Sequence, residues 1–166
     1  MASLFYGKRI KAFFTGRSAL AALPVAVLVS LAAALLAAFG STSTWASAYG
    51  ERYTDDEIER FLVSGTAGDG TVTLILAAVS GLLILWRLLL PRTTGFVLGL
   101  AAVLLMVVMV VGMLNWVDVS HMPGIFEPGK YFRTGVDPGW GLILVTLSAA
   151  IGMVASAYQL WQDELR

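Results

Sequence analysis

Four stretches of this chain carry no charge and are long enough to cross a bilayer, and that constraint governs every other reading. They are "LAALPVAVLVSLAAALLAAFG" from Leu20 to Gly40, "VTLILAAVSGLLILW" from Val72 to Trp86, "GFVLGLAAVLLMVVMVVGMLNW" from Gly95 to Trp116, and "GWGLILVTLSAAIGMVASAYQLW" from Gly139 to Trp161. A helix rises about 1.5 Å per residue, so roughly 20 apolar residues cross the hydrocarbon core. The second stretch reaches that length once Leu88 to Leu90 are added, with Arg87 snorkelling to the headgroups. A soluble bundle is excluded by surface: 166 residues cannot wrap four helices that are apolar all round. The expected fold is all-α, a four-helix transmembrane bundle with structured outer loops. Its spans fall at about 19–40, 72–90, 95–116 and 139–161, and its outer loops at 41–70 and 117–138.

The basic residues set an expected orientation. Lys8, Arg9, Lys11, Arg17, Arg87, Arg92 and Arg166 fall on one side, with only Asp163 and Glu164 as acids. The other side holds Arg52, Arg60, Lys130 and Arg133 against nine acids, so a formal net charge of zero conceals about +5 on one face and −5 on the other. Both termini are therefore expected in the cytoplasm of a plasma (inner) membrane. The Ala46-Ser47-Ala48 match to a signal cleavage site follows an apolar run longer than a secretory core, so the first stretch reads as a retained span. Residues 1–17 form a separate basic segment. Tyr6, Ile10, Phe13 and Phe14 share one helical face opposite Lys8 and Lys11, which suits an interfacial helix on anionic lipid; a basic tail that only sets topology reads equally well. The rest, 18–166, is the four-span domain.

Two phrases repeat. "DGTVTLILAAVSG" begins at Asp69 and "DPGWGLILVTLSA" at Asp137. Asp69 and Gly70 open one, Asp137 and Gly139 the other; Leu74-Ile75-Leu76 aligns with Leu142-Ile143-Leu144, and Ser80 with Ser148. The preceding spans also end alike, at Gly40 then Trp45 and at Gly112 then Trp116. The pattern reads as a duplicated hairpin of span, outer loop and returning span, with its pseudo-axis along the membrane normal. Small residues recur every fourth position: Ala22, Ala26, Ser30, Ala34 and Ala38 on the first span, and Ser148, Gly152 and Ser156 on the fourth. Such ridges let helix backbones approach closely in lipid. Gly95 and Gly99, and Ala77 and Gly81, do the same on the third and second spans.

The outer loops carry local signals of their own. Thr54 and Glu57 form a capping box ahead of Ile58, Phe61 and Leu62, with Gly65 as a stop, which predicts a short amphipathic helix. Pro128-Gly129 suits a turn between Glu127 and Lys130, with room for a small hairpin around it. Trp45, Trp86, Trp116, Trp140 and Trp161 all fall at span ends, as an aromatic belt requires.

Chemistry is sparse. There is no cysteine, which removes disulfides and thiolate metal sites. No ionisable residue lies at mid-membrane depth, where a transporter normally keeps one. His121 is the only histidine, and with Asp118 and Asp137 it is the weak candidate for an outer metal or acid–base site. Nothing implies a cofactor, catalysis or nucleic-acid binding; the expected partners are the bilayer and other membrane subunits or further copies of the chain.

Asp69-Gly70 and Gly139-Trp140-Gly141, each leading an apolar run, together with eight Arg against three Lys, make the chain resemble the small four-span membrane proteins of actinobacterial and other high-GC bacteria. The resemblance implies a bacterial plasma membrane and no particular activity. The function expected first is a non-catalytic accessory or scaffolding subunit of a membrane complex. A small-solute transporter or channel is the alternative, and an outer-face metal-dependent enzyme or sensor the third.

Overall fold

The computed structural model describes residues 25–52, 58–90, 95–121 and 131–164. Its elements are α1 (Val25–Thr42), β1 (Thr44–Arg52), β2 (Ile58–Ser64), α2 (Gly70–Leu89), α3 (Gly95–His121), β3 (Tyr131–Pro138) and α4 (Trp140–Glu164), with a single 3₁₀ turn at Gly65–Ala67. All four helices are long and apolar enough to cross a membrane, so this is a multi-pass membrane protein. α1 packs against α2 and α4, and α3 against the same two, with the α1–α4 contact the most extensive. The four helices therefore stand in a square, in chain order around it.

Burial along each helix explains how they pack. One series of buried positions runs Val27, Ser30, Ala34, Ala37 and Ser41 on α1, and Gly70, Thr73, Ala77, Ser80 and Ile84 on α2, with Ala33, Gly40 and Gly81 buried beside it. On α3 the series runs Leu98, Ala101, Leu105, Val108 and Gly112, and on α4 Leu142, Val145, Ala149, Gly152, Ser156 and Gln159, with Val119, Gly141, Thr146 and Ser148 buried outside it. Each series steps alternately by three and four. That is the three-four spacing of a heptad seam. The every-fourth-residue ridge expected on α1 follows this seam only in part. Ser30 and Ala34 are buried, Ala26 and Ala38 half-buried, and Ala22 lies outside the described residues. A strict spacing of four advances by about 40° per step at 3.6 residues per turn, so such a ridge leaves the interface within two or three turns.

Gly152 marks a crossing of three helices. A Cβ there would lie 2.9 Å from Leu105 Cδ1 of α3 and 3.0 Å from Ala33 Cβ of α1, so three helices meet over one missing side chain. Gly95 and Gly99 open space for Leu160 of α4, and Gly81 faces Ala34.

The all-α expectation requires correction at one end of the bundle, where a three-stranded antiparallel sheet in the order β2-β1-β3 replaces loops. The expected helix over Ile58, Phe61 and Leu62 is strand β2, running beside β1 with Ala48 opposite Phe61 and Gly50 opposite Glu59. Seven residues with an apolar run satisfy either period, and an isolated helix of that length is marginal in water. Pairing with β1 instead satisfies its backbone groups along a whole ladder. The capping residues Thr54 and Glu57, and the Pro128-Gly129 turn, lie outside the described residues. β3 pairs with β1 of the other loop, Val136 opposite Ala48. In the same register Tyr49 faces Gly135, and its ring lies where a Cβ of that glycine would stand.

Replacing Gly152 with Leu is expected to lower stability by about 1–3 kcal/mol, the usual cost of overpacking, in unfolding measured in detergent. Gly81→Ala, whose Cβ would meet only Ala34 Cβ at 3.7 Å, is expected to leave stability unchanged or higher.

Candidate functional site

The polar groups of the bundle lie inside it. Ser30, Ser41, Thr73, Ser80, Thr146, Ser148, Ser156 and Gln159 are buried, while Leu35, Val72, Leu82, Val103 and Ile151 face outward. In hydrocarbon an unsatisfied polar group costs several kcal/mol, so each hydroxyl must find an acceptor inside the protein. Ser80 donates to Leu76 O at 2.8 Å and Thr146 to Leu142 O at 2.9 Å, each bending back one turn along its own helix.

Two hydroxyl pairs also join helices. Ser156 Oγ of α4 donates to Ser30 Oγ of α1 at 3.0 Å, and Ser30 in turn reaches Ala26 O at 2.9 Å and Gly152 O at 3.3 Å. Nearer the sheet, Ser41 Oγ of α1 lies 2.9 Å from Thr73 Oγ1 of α2. Ser41 also faces Ala37 O at 2.8 Å, and Thr73 faces Gly70 O at 3.0 Å. Whichever hydroxyl donates across the interface, the other can donate to its own helix. Both pairs sit on heptad positions, which is the signal by which Ser41 and Thr73 could have been found.

Trp45 of β1 is buried, and its Nε1 donates to Gly40 O at 3.0 Å, a carbonyl near the end of α1 that also accepts from Ser43 N at 3.1 Å. Trp45 is therefore a plug and not a member of the aromatic belt. Trp86, Trp116, Trp140 and Trp161 are exposed at helix ends, with Trp140 5.8 Å from Phe39 between ring centroids. Gly65 lies flat against Trp45, leaving no room for a side chain.

Of the doubled phrases, the two glycines share a role. A Cβ on Gly70 would collide with the Gly65 carbonyl, and one on Gly139 with that of Thr44; Gly139 N also donates to Trp45 O at 2.7 Å. The acids do not share one. Asp69 precedes α2 and accepts from Asn115 Nδ2 of α3 at 3.1 Å, whereas Asp137 is exposed on β3 opposite Ser47.

The weak metal candidates are placed differently from expectation. α3 continues through Asp118 to His121, so these two end a helix and do not belong to a loop. At about 40 Å for 27 residues, α3 outruns a hydrocarbon core of about 30 Å. Asp118 and Asp137 are exposed, the side chain of His121 lies outside those described, and among the described residues no three His, Asp or Glu side chains come together as a metal site would require.

At the opposite end of the bundle an ion pair joins two helices. Arg87 Nη2 of α2 donates to Asp163 Oδ2 of α4 at 2.8 Å, and Gln159 Nε2 donates to Asp163 Oδ1 at the same distance. Arg87 is thus engaged within the protein and not extended to the headgroups. Sequence reasoning had no means of finding a partner 76 residues away.

No protein-family model matches the chain, and no curated protein matches it.

A double-mutant cycle on Ser30→Ala and Ser156→Ala, read from unfolding in detergent, is expected to give a coupling of about 0.6 kcal/mol. That is the average for hydrogen bonds between membrane helices.

Proposed function

We propose that this chain is a non-catalytic integral membrane protein, an accessory or scaffolding subunit of a larger membrane complex. The supporting observation is that the interior hydroxyls spend themselves on carbonyls and on one another. An interior arranged in that way offers a solute no ready partner. The surfaces that remain are the apolar flanks of the helices and the sheet, whose strand β2 carries Ile58, Phe61, Leu62 and Val63 exposed. Both suit contact with lipid and with other membrane subunits or further copies of the chain. A small-solute channel is the second reading, favoured by the succession of buried hydroxyls from Ser30 to Thr73.

The location that goes with this reading is a bacterial plasma membrane with both termini in the cytoplasm and the sheet outside. It rests on the basic residues before the first span, between the second and third, and at the end of the chain. The hairpin of α1, β1, β2 and α2 is further read as the duplicate of α3 to α4. With Asp69 aligned on Asp137, the buried residues Thr73, Ala77, Ser80, Gly81 and Ile84 fall on Gly141, Val145, Ser148, Ala149 and Gly152, which are buried too.

Purification from native membranes in mild detergent, followed by mass spectrometry, is expected to recover stoichiometric membrane partners; a clean monomer overturns the accessory-subunit reading. For orientation, the chain has no cysteine of its own, so Ser3 and Ser47 can each be replaced by Cys singly. An impermeant thiol reagent applied to intact cells is expected to label Cys at 47 and not at 3.

A further inference from the structure

The ion pair at the end remote from the sheet has a geometry that simple helix pairing does not require. α2 and α4 stand diagonally across the square, each packed mainly on α1 and α3. Arg87 and Asp163 reach across that diagonal, with side chains 16% and 25% exposed. Gln159, only 3% exposed, holds the second carboxylate oxygen from inside. One turn deeper on α4 is Ser156, bonded to Ser30. A further turn in, Gly152 meets Leu105 and Ala33 with no space between them. In order of depth there is thus a charged closure, a buried amide, a hydroxyl pair and a dry constriction.

We propose that Arg87, Asp163 and Gln159 form a latch that closes this end of the bundle, and that its release admits water as far as Ser156 and Ser30 but not beyond Gly152. The carboxylate takes one donor from α2 and one from α4, so removing the Arg87 charge leaves Asp163 Oδ2 without that donor in a half-buried place. Its cheapest remedy is water, and water enters only if the ends of α2 and α4 part. Ser156 and Ser30 then supply the next donors and acceptors along the route. The inference stands apart from the accessory-subunit reading and holds whichever way the termini face.

The absence of native cysteine makes the test direct. Ser156→Cys and Ser148→Cys are made singly, the second lying beyond the constriction, and each is reconstituted in nanodiscs, which leave both membrane faces open. A charged methanethiosulfonate reports hydration, because the cysteine thiolate attacks its sulfenyl sulfur and expels methanesulfinate, and that thiolate forms in water and not in an apolar seam. With the latch intact both cysteines are expected to react slowly. With Arg87→Gln or Asp163→Asn added, Cys at 156 is expected to react about tenfold faster or more, the effect of losing one charge-assisted hydrogen bond. Cys at 148 is expected to be unchanged, and the exchanged pair Arg87→Asp with Asp163→Arg to restore slow reaction. Two latch variants guard against one failing to fold, and Ser30→Cys replaces Ser156→Cys if the latter perturbs the bundle. Equal rates at 156 with and without the latch overturn the proposal. So does an equal acceleration at 148, which marks general loosening of the bundle.

Discussion

Hydrocarbon offers no hydrogen bonds, and the whole arrangement follows from that. A helix satisfies its own backbone, but the serines and threonines on its surface bring further donors that lipid cannot accept. Here the buried ones are turned inward and closed against carbonyls of their own or a neighbouring helix. Only small side chains let helices come near enough for Ser156 to reach Ser30 and for Ser41 to reach Thr73. Close approach and polar satisfaction are therefore one requirement, met at the same positions. The packing contact contributes most, because helices in lipid gain nothing from hydrophobic exclusion and depend on van der Waals contact.

Where the chain leaves the helices, the same accounting applies to the backbone. β1 starts two residues after α1 ends, and β3 meets α4 across Gly139 alone. Carbonyls near these junctions are taken up at once: Gly40 O by the indole of Trp45, Trp45 O by the amide of Gly139, and Ser43 O by the amide of Gly65. The bare Cα atoms of Gly65, Gly70 and Gly139 permit these approaches, because a methyl group at any of them would occupy the place of a neighbouring main-chain or indole atom. β1 belongs to the first loop and β3 to the second, so the sheet joins the two helical hairpins outside the bundle as α1–α4 and α2–α3 join them within it.

Legibility differed by element. The four spans were plain because hydropathy is summed over about 20 residues, and no tertiary contact reverses a sum of that size. The packing face was half legible. Ser148, Gly152 and Ser156 lie buried on α4, yet spacing by four drew Ala26 and Ala38 into a line that the seam of α1 does not follow. β2 was misread because Ile58, Phe61 and Leu62 sit on one helical face and also fit a strand, and the pairing that decides between them is supplied by β1. Trp45 and Arg87 were assigned to the interface by composition, whereas their partners Gly40 O and Asp163 draw them into the protein.

The sequence alone determined that the chain crosses a membrane four times, where each crossing lies within a few residues, and that the interior has no thiol and no charge at its centre. These are properties of composition over long windows, insensitive to which residue meets which. The tertiary structure decided the square order of the helices, the sheet drawn from two separate loops, the pairs Ser30–Ser156 and Ser41–Thr73, and the ion pair of Arg87 with Asp163. Each of these joins residues far apart in the chain through one geometry of about 3 Å, which local sequence does not encode, because hydrogen-bond strength depends on where the second partner stands in space.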